Sequence, residues 1–120
     1  MPSLTPVKIY KGEPTQIILE SASAINALAA VHTVPAGKRL ILKYIRVTNL
    51  DASITNYVNV KAGTSPTASA GDYILRRAEV QPYDVVIFEM NEVIEAGDKI
   101  YIWQDVGSVS VQISGVEVTL

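Results

Sequence analysis

The chain has 120 residues, of which 48% are hydrophobic and 18% charged, with ten basic residues against twelve acidic ones and no cysteine. A chain of this length folds around one core, and its charged share, below the roughly 25% of an average soluble domain, leaves some surface to face protein rather than water. Basic residues scattered from Lys8 to Lys99 argue against a phosphate-neutralising patch and so against nucleic acid, the lack of cysteine excludes disulfides and thiolate chemistry, and no run reaches the roughly 18 apolar residues of a membrane helix.

Residues 1–15 carry Pro2, Pro6 and Pro14 with Gly12, and only Val7 to Tyr10 reads as extended. Proline fixes φ and cannot donate to a ladder, so this segment is expected as an extended N-terminal arm, lying along a surface as an edge strand or strap. Gln16 to Glu20 is a short strand candidate. Ser21 to Ala30 is rich in Ala and Ser without caps or helical period, and its state stays open, with a short helix as one reading. Val31 to Val34 runs into Pro35-Ala36-Gly37, where proline presets the first turn position and glycine supplies a positive φ, and a hairpin-like connection should follow. Arg39 to Asn49 is the longest strand. Strict alternation sends Leu40, Leu42 and Tyr44 one way and Ile41, Ile45 and Val47 the other, so the strand is either central or covered on its second side by another subunit.

Asn49 to Ile54 is turn-like, Tyr57 to Lys61 alternates, and residues 62–71 are small and polar, as a mobile surface loop would be. Tyr73 to Val80, Asp84 to Met90 and Lys99 to Gln104 complete the strand set, separated by Gln81-Pro82-Tyr83 and by Glu95-Ala96-Gly97-Asp98. In the closing stretch the apolar positions are Val109, Val111 and Ile113, then Val116, Val118 and Leu120, a change of phase that suggests a bulge at Gly115. About eight strands at such spacing, with no amphipathic helix longer than two turns, specify an all-β, single-domain antiparallel β-sandwich or jelly roll over residues 16–120, preceded by the arm of residues 1–15.

Candidate functional residues are few. His32 is the sole histidine; general-base work needs an imidazole oriented by a carboxylate and facing a nucleophile, and without either partner in view it reads as a strand-end polar group. No catalytic residue is assigned. Glu89, Glu92, Glu95 and Asp98 recur every three residues, but apolar Val93 and Ile94 occupy the middle, unlike a calcium loop. They read as solvated strand ends, with a weak divalent-ion site as the alternative, and no metal or cofactor is assigned. Arg76 and Arg77, consecutive in a strand, face opposite sides and suit local ion pairs, one with Glu79. Gly63, Gly71, Gly97 and Gly107 stand singly in turns and form no phosphate loop. Tyr101 and Trp103 alternate with Ile100 and Ile102, so the two aromatics share the face opposite the isoleucines. Three readings follow: the chain's own arm or second sheet covers them, they anchor a protein interface, or they stack on sugar rings. With Val7, Ile9 and Tyr10 of the arm and Tyr44 of the long strand, they make up the candidate interface.

The run Val31-His-Thr-Val-Pro-Ala-Gly-Lys-Arg-Leu-Ile-Leu-Lys-Tyr-Ile-Arg-Val-Thr-Asn49, the turn Ile94-Glu-Ala-Gly-Asp-Lys-Ile-Tyr-Ile102 and the ending Val109-Ser-Val-Gln-Ile-Ser-Gly-Val-Glu-Val118 together resemble small tailed-bacteriophage virion structural proteins. The likeness runs from residue 28 to the end and leaves the arm unexplained. It implies a non-enzymatic structural role as a capsid decoration, head-fibre or tail accessory protein, homo-oligomeric and commonly trimeric, with the major capsid protein as partner, and a place in the virion after synthesis in the host cytoplasm. Neither nucleic acid nor membrane is an expected partner, and the first thirty residues show no export signal. The reading in reserve is a carbohydrate- or receptor-binding module of a tail or fibre standing on Tyr101 and Trp103. A further expectation is that deleting residues 1–15 weakens assembly while leaving the monomer folded.

Overall fold

Burial in this protein follows the two-residue period of extended chain, and the places where that period slips decide which faces are left open. The structure, a computed structural model, describes residues 4–17, 22–67 and 72–120. In chain order they form β1 (Leu4–Gly12), β2 (Thr15–Gln16), a short helix α1 (Ala22–Asn26), β3 (His32–Thr33), β4 (Lys38–Asn49), β5 (Asn56–Gly63), β6 (Tyr73–Val80), β7 (Val85–Ile94), β8 (Lys99–Gln104) and β9 (Val109–Thr119). One sheet runs β1-β9-β4-β7, antiparallel throughout. The other runs β2-β8-β5-β6, with β3 also on β8 and β2 parallel to it. The fold is the expected all-β sandwich.

Between the sheets lie Leu40, Leu42, Ile45 and Val47 of β4, Val109, Val111 and Ile113 of β9, Val58 and Val60 of β5, and Ile100 and Ile102 of β8, all buried in one cluster. Each such side chain contributes about 1.5–3 kcal/mol by leaving water. The membership of β4 corrects the strict alternation expected for it. Leu42 pairs with Gly115 while Tyr44 pairs with the adjacent Ser114, so Lys43 is an extra residue. Beyond it the phase inverts: Leu40, Leu42, Ile45 and Val47 all face the core, and Ile41, Tyr44 and Arg46 face out. The strand has one apolar face, not two.

A parallel correction applies to β9. Its buried positions continue without interruption through Val109, Val111, Ile113, Gly115 and Glu117. Val116 and Val118 therefore lie on the outer face, half-buried. The extra residues sit in the flanking strands, Lys43 in β4 and Ile9 in β1, both level with Ser114. Gly115 serves close packing: a Cβ there would lie 2.5 Å from the carbonyl oxygen of Ile41 and 3.3 Å from Leu40 Cδ1. Backbone on a paired strand cannot step aside, so Gly115→Ala is expected to cost about 1–3 kcal/mol, read as a lowered urea midpoint with an unchanged m-value.

Turn chemistry falls where the sequence placed it. Lys38 N–H donates to the Pro35 carbonyl (3.2 Å) and Asp98 N–H to that of Glu95 (3.1 Å), with Gly37 and Gly97 at φ 77° and 88°. The two turns are tied together by Gly97 N–H to Val34 O and Val34 N–H to Asp98 O, each 2.9 Å. The connection after Val34 is no hairpin, however, since β3 belongs to the second sheet and β4 to the first. At the opposite end, buried Asn49 holds the crossover to β5, donating to the carbonyls of Ile54 (2.8 Å) and Val80 (3.0 Å) and accepting from Asp51 N–H (3.0 Å).

The segment expected as an arm is extended and lies along β9 as an edge strand, with Leu4 opposite Val118 and Gly12 opposite Val111. It belongs to the sheet's hydrogen-bonded ladder. Of Ser21 to Ala30, residues 22–26 form α1, the short-helix reading. Residues 1–3, residues 18–21 between β2 and α1, and residues 68–71 of the expected surface loop, Gly71 among them, lie outside the described residues.

Candidate interaction surfaces

β8 presents two faces, as alternation predicts: Ile100 and Ile102 enter the main core, while Tyr101 and Trp103 point to the other side of the second sheet. That side is covered by the chain itself. Ile17, Ile25, Leu28, Ala30 and Tyr73 pack on the two aromatics, leaving Tyr101 4% and Trp103 0% exposed. The Tyr73 ring meets Trp103 edge-on, with centroids 5.9 Å apart and planes at 62°. An accessible aromatic platform, for protein or sugar, is therefore corrected to a second, smaller core under the strap that includes α1. Trp103 Nε1 and the Nδ2 of Asn59, its cross-strand neighbour, are both buried without a hydrogen-bond partner.

Three more expected interface residues also serve the interior. Ile9 is 6% exposed and part of the main core, and Val7 and Tyr10 pack against that core half-buried. Burial, with Glu13 nearby, holds the Tyr10 phenol above the usual tyrosine range. The physical reason is the bulge in β1: the extra residue lets Val7, Ile9 and Tyr10 all reach inward. Tyr44 alone of the six stands on an outer face, its hydroxyl accepting from Gln112 Nε2 at 3.3 Å.

What remains open is the outer face of the four-stranded sheet. Its rows read Leu4, Val118 and Arg39; then Pro6, Val116, Ile41 and Val93; then Lys8, Ser114, Tyr44 and Glu89; then Lys11, Gln112, Arg46 and Ile87. One end is apolar and the middle is charged. A shallow depression of about 580 Å³ beside the β7 edge is lined by Lys43, Tyr44, Arg46, Ile87, Glu89, Met90 and Asn91. Lys43 Nζ donates to Asn91 Oδ1 at 2.7 Å. Of this surface, sequence reasoning singled out only Tyr44 as an interface candidate, because the slip at Lys43 hides which other residues of β4 face out.

His32 lies in β3 opposite Ile100, its Nε2 buried without a partner. Glu89, Glu92 and Glu95 are exposed and Asp98 half-buried, with Glu95 paired to Arg39 at 3.0 Å. Among the described residues no three acidic or histidine side chains gather as metal ligands, and no helix is long and apolar enough to cross a membrane. Arg77 pairs with Asp105 at 2.9 Å and lies 4.5 Å from the Tyr57 ring centre, while Glu79 accepts from Gln81. The expected Glu79 pair gives way because Arg77 adopts φ 47°, which breaks the alternation of β6. Buried Lys61, unremarkable in sequence, donates to the Pro66 carbonyl at 3.0 Å and sits 4.7 Å from the Tyr73 ring centre.

No protein-family model matches the chain, and no curated protein matches it. Among solved structures it is similar to a chain of the T13 IBDV viral particle, a structure described as a missing link in the evolution of icosahedral viruses, with a TM-score of 0.58 and 9% identity. The match covers 98% of this chain and 31% of that one. The chain thus spans about a third of its neighbour's length, and the likeness is one of fold.

Proposed function

We propose that this chain is a non-enzymatic structural component of a virion, and in particular a capsid decoration subunit of a tailed bacteriophage that associates with copies of itself, as a trimer, and with the major capsid protein. The observation that carries the reading is that nearly the whole chain superposes on part of a viral-particle chain, joined to the turn-and-strand motifs at 31–49, 94–102 and 109–118. An outer sheet face with an apolar end formed by Val93, Val116 and Ile41 supports a role in contact with other protein. A decoration subunit works by mass action: surface buried across neighbouring shell subunits stabilises the assembled state by the free energy of its own binding.

Immunogold labelling of purified particles of the virus that encodes this chain is the direct test. Label distributed over the head is the expected result. Label confined to the tail tip would replace decoration by an adsorption role, and unlabelled particles alongside labelled host cytoplasm would defeat the virion reading altogether.

A further inference from the structure

The four-stranded sheet ends in β7, and this edge differs from every other edge among the described residues. A free strand edge is a template for pairing with another chain, and proteins blunt it with proline, lysine, bulges or shortness. β1 has Pro6, Lys8, Lys11 and a register slip. β6 has Arg76, Arg77 in a left-handed conformation, and slips against β5. β2 and β3 are two residues long. β7 is ten residues long and carries no proline, glycine or basic residue; Met90 and Asn91 together oppose the single Lys43 of β4, but exposure along β7 alternates unbroken from Val85 to Asn91 through that slip. Its outward side chains Val85, Ile87 and Val93 are 50%, 56% and 52% exposed, and the inward Val86, Phe88 and Met90 are only half-buried against the core.

We infer that β7 pairs antiparallel with β7 of a second copy of this chain, continuing the sheet across a twofold axis at Met90. The register follows from charge. In a continuous sheet outward residues oppose outward residues, so the axis passes through a residue of the strand. Centred on Glu89 or on Glu92, the pairing sets a carboxylate against its own copy, which is destabilising. Centred on Asn91, it sets Glu89 against Val93 and Glu92 against Met90. Centred on Met90, it sets Ile87 against Val93 of the second copy and Glu89 against Asn91, twice each, and leaves Glu92 beside Phe88 at the exposed margin. Asn91 Oδ1 is already occupied by Lys43 Nζ, so its amide N–H groups are free to donate to the Glu89 carboxylate of the second copy, beside the Lys43 ammonium. The far edge, β1, is blocked by Pro6, so the contact closes at two copies and does not grow into a filament.

This inference rests on the self-association in the proposed function and supplies a surface for it; where trimers form through another face, β7 joins one trimer to the next. The chain has no cysteine, so introduced thiols report alone. Ile87→Cys/Val93→Cys is expected to oxidise to a dimer on a non-reducing gel and stop there, while each single variant stays uncrosslinked over the same time, because position 87 opposes 93 and not itself. Ile87→Lys/Val93→Lys is expected to halve the light-scattering mass at about 100 μM with an unchanged circular dichroism spectrum. Equal masses for the lysine variant and the unmodified chain, or single-cysteine variants that crosslink as fast as the double, would overturn the pairing. Either failure is separate from the virion reading, which particle labelling decides.

Discussion

Replacing Trp103 by alanine should cost about 3 kcal/mol of folding stability, at the lower end of the about 3–5 kcal/mol typical of a buried tryptophan. The side chain is wholly buried, held by Ile17 and Tyr101 with Tyr73 edge-on. Removing it opens a cavity that strands on two sides cannot collapse to fill. The lower end applies because Nε1 is an unpaired buried donor, and deleting an unsatisfied polar group returns part of its desolvation cost. Urea unfolding followed by circular dichroism checks the number, a large part of the about 5–15 kcal/mol that holds such a domain together. Trp103 is also the sole tryptophan, so its emission reports the strap directly. The folded chain should emit in the blue and resist acrylamide quenching. An unchanged midpoint, or emission like that of free indole, would mean that the strap does not pack on Trp103 and would restore the aromatic platform.

Removal of residues 1–12 should abolish cooperative folding or lower stability by more than any single substitution named above. The register from Leu4 to Gly12 is lost along the whole flank of β9. Ile9 leaves the core, and Val7 and Tyr10 uncover it further; the first alone is worth about 2–5 kcal/mol by analogy with Ile→Ala in a core. β9 would then be left as an unprotected edge, inviting aggregation. The sequence alone leads to the expectation that a proline-bearing arm could be cut away from a folded monomer; the β1–β9 ladder and the burial of Ile9 lead to the opposite expectation. A truncated chain that melts cooperatively at the same temperature as the full one would reinstate the arm. Ile9→Ala, which keeps the backbone ladder, separates the loss of burial from the loss of pairing.

What the sequence discloses here is periodicity, and what it conceals is interruption. The faces of β8 are legible because Ile100, Tyr101, Ile102 and Trp103 alternate cleanly, and the turns at Pro35–Gly37 and Glu95–Asp98 because proline and glycine have fixed conformational roles. The covering of Tyr101 and Trp103 is not legible, since the strap that supplies Ile17, Ile25 and Leu28 is a run of small residues without a period. In β4, Leu40 and Leu42 are in phase with each other, and Ile45 and Val47 with each other, offset by one. That offset is the trace of the extra residue Lys43, and it can be recognised only once a single apolar face is assumed. In β9 the same kind of offset at Gly115 has another cause: on the outer face Val116 lies between Pro6 and Ile41 and Val118 between Leu4 and Arg39, and apolar residues on an open face mimic a slip in phase. Five of the six interface candidates, all but Tyr44, pack within the chain for a related reason. Large apolar residues in a strand declare a buried face without saying whether the chain itself or another molecule buries it.

The position of β9 between β1 and β4 has a consequence for biogenesis. β9 is translated after the other eight strands, yet it is the strip to which both β1 and β4 bond. While the nascent chain is on the ribosome, the first strand has no neighbour and β4 lacks one side, so this layer can close only once β9 has left the exit tunnel. Such long-range closure is slow, and during the wait two unsatisfied ribbons stay exposed. A factor that shields them in that interval would raise the yield of folded protein without touching the finished one.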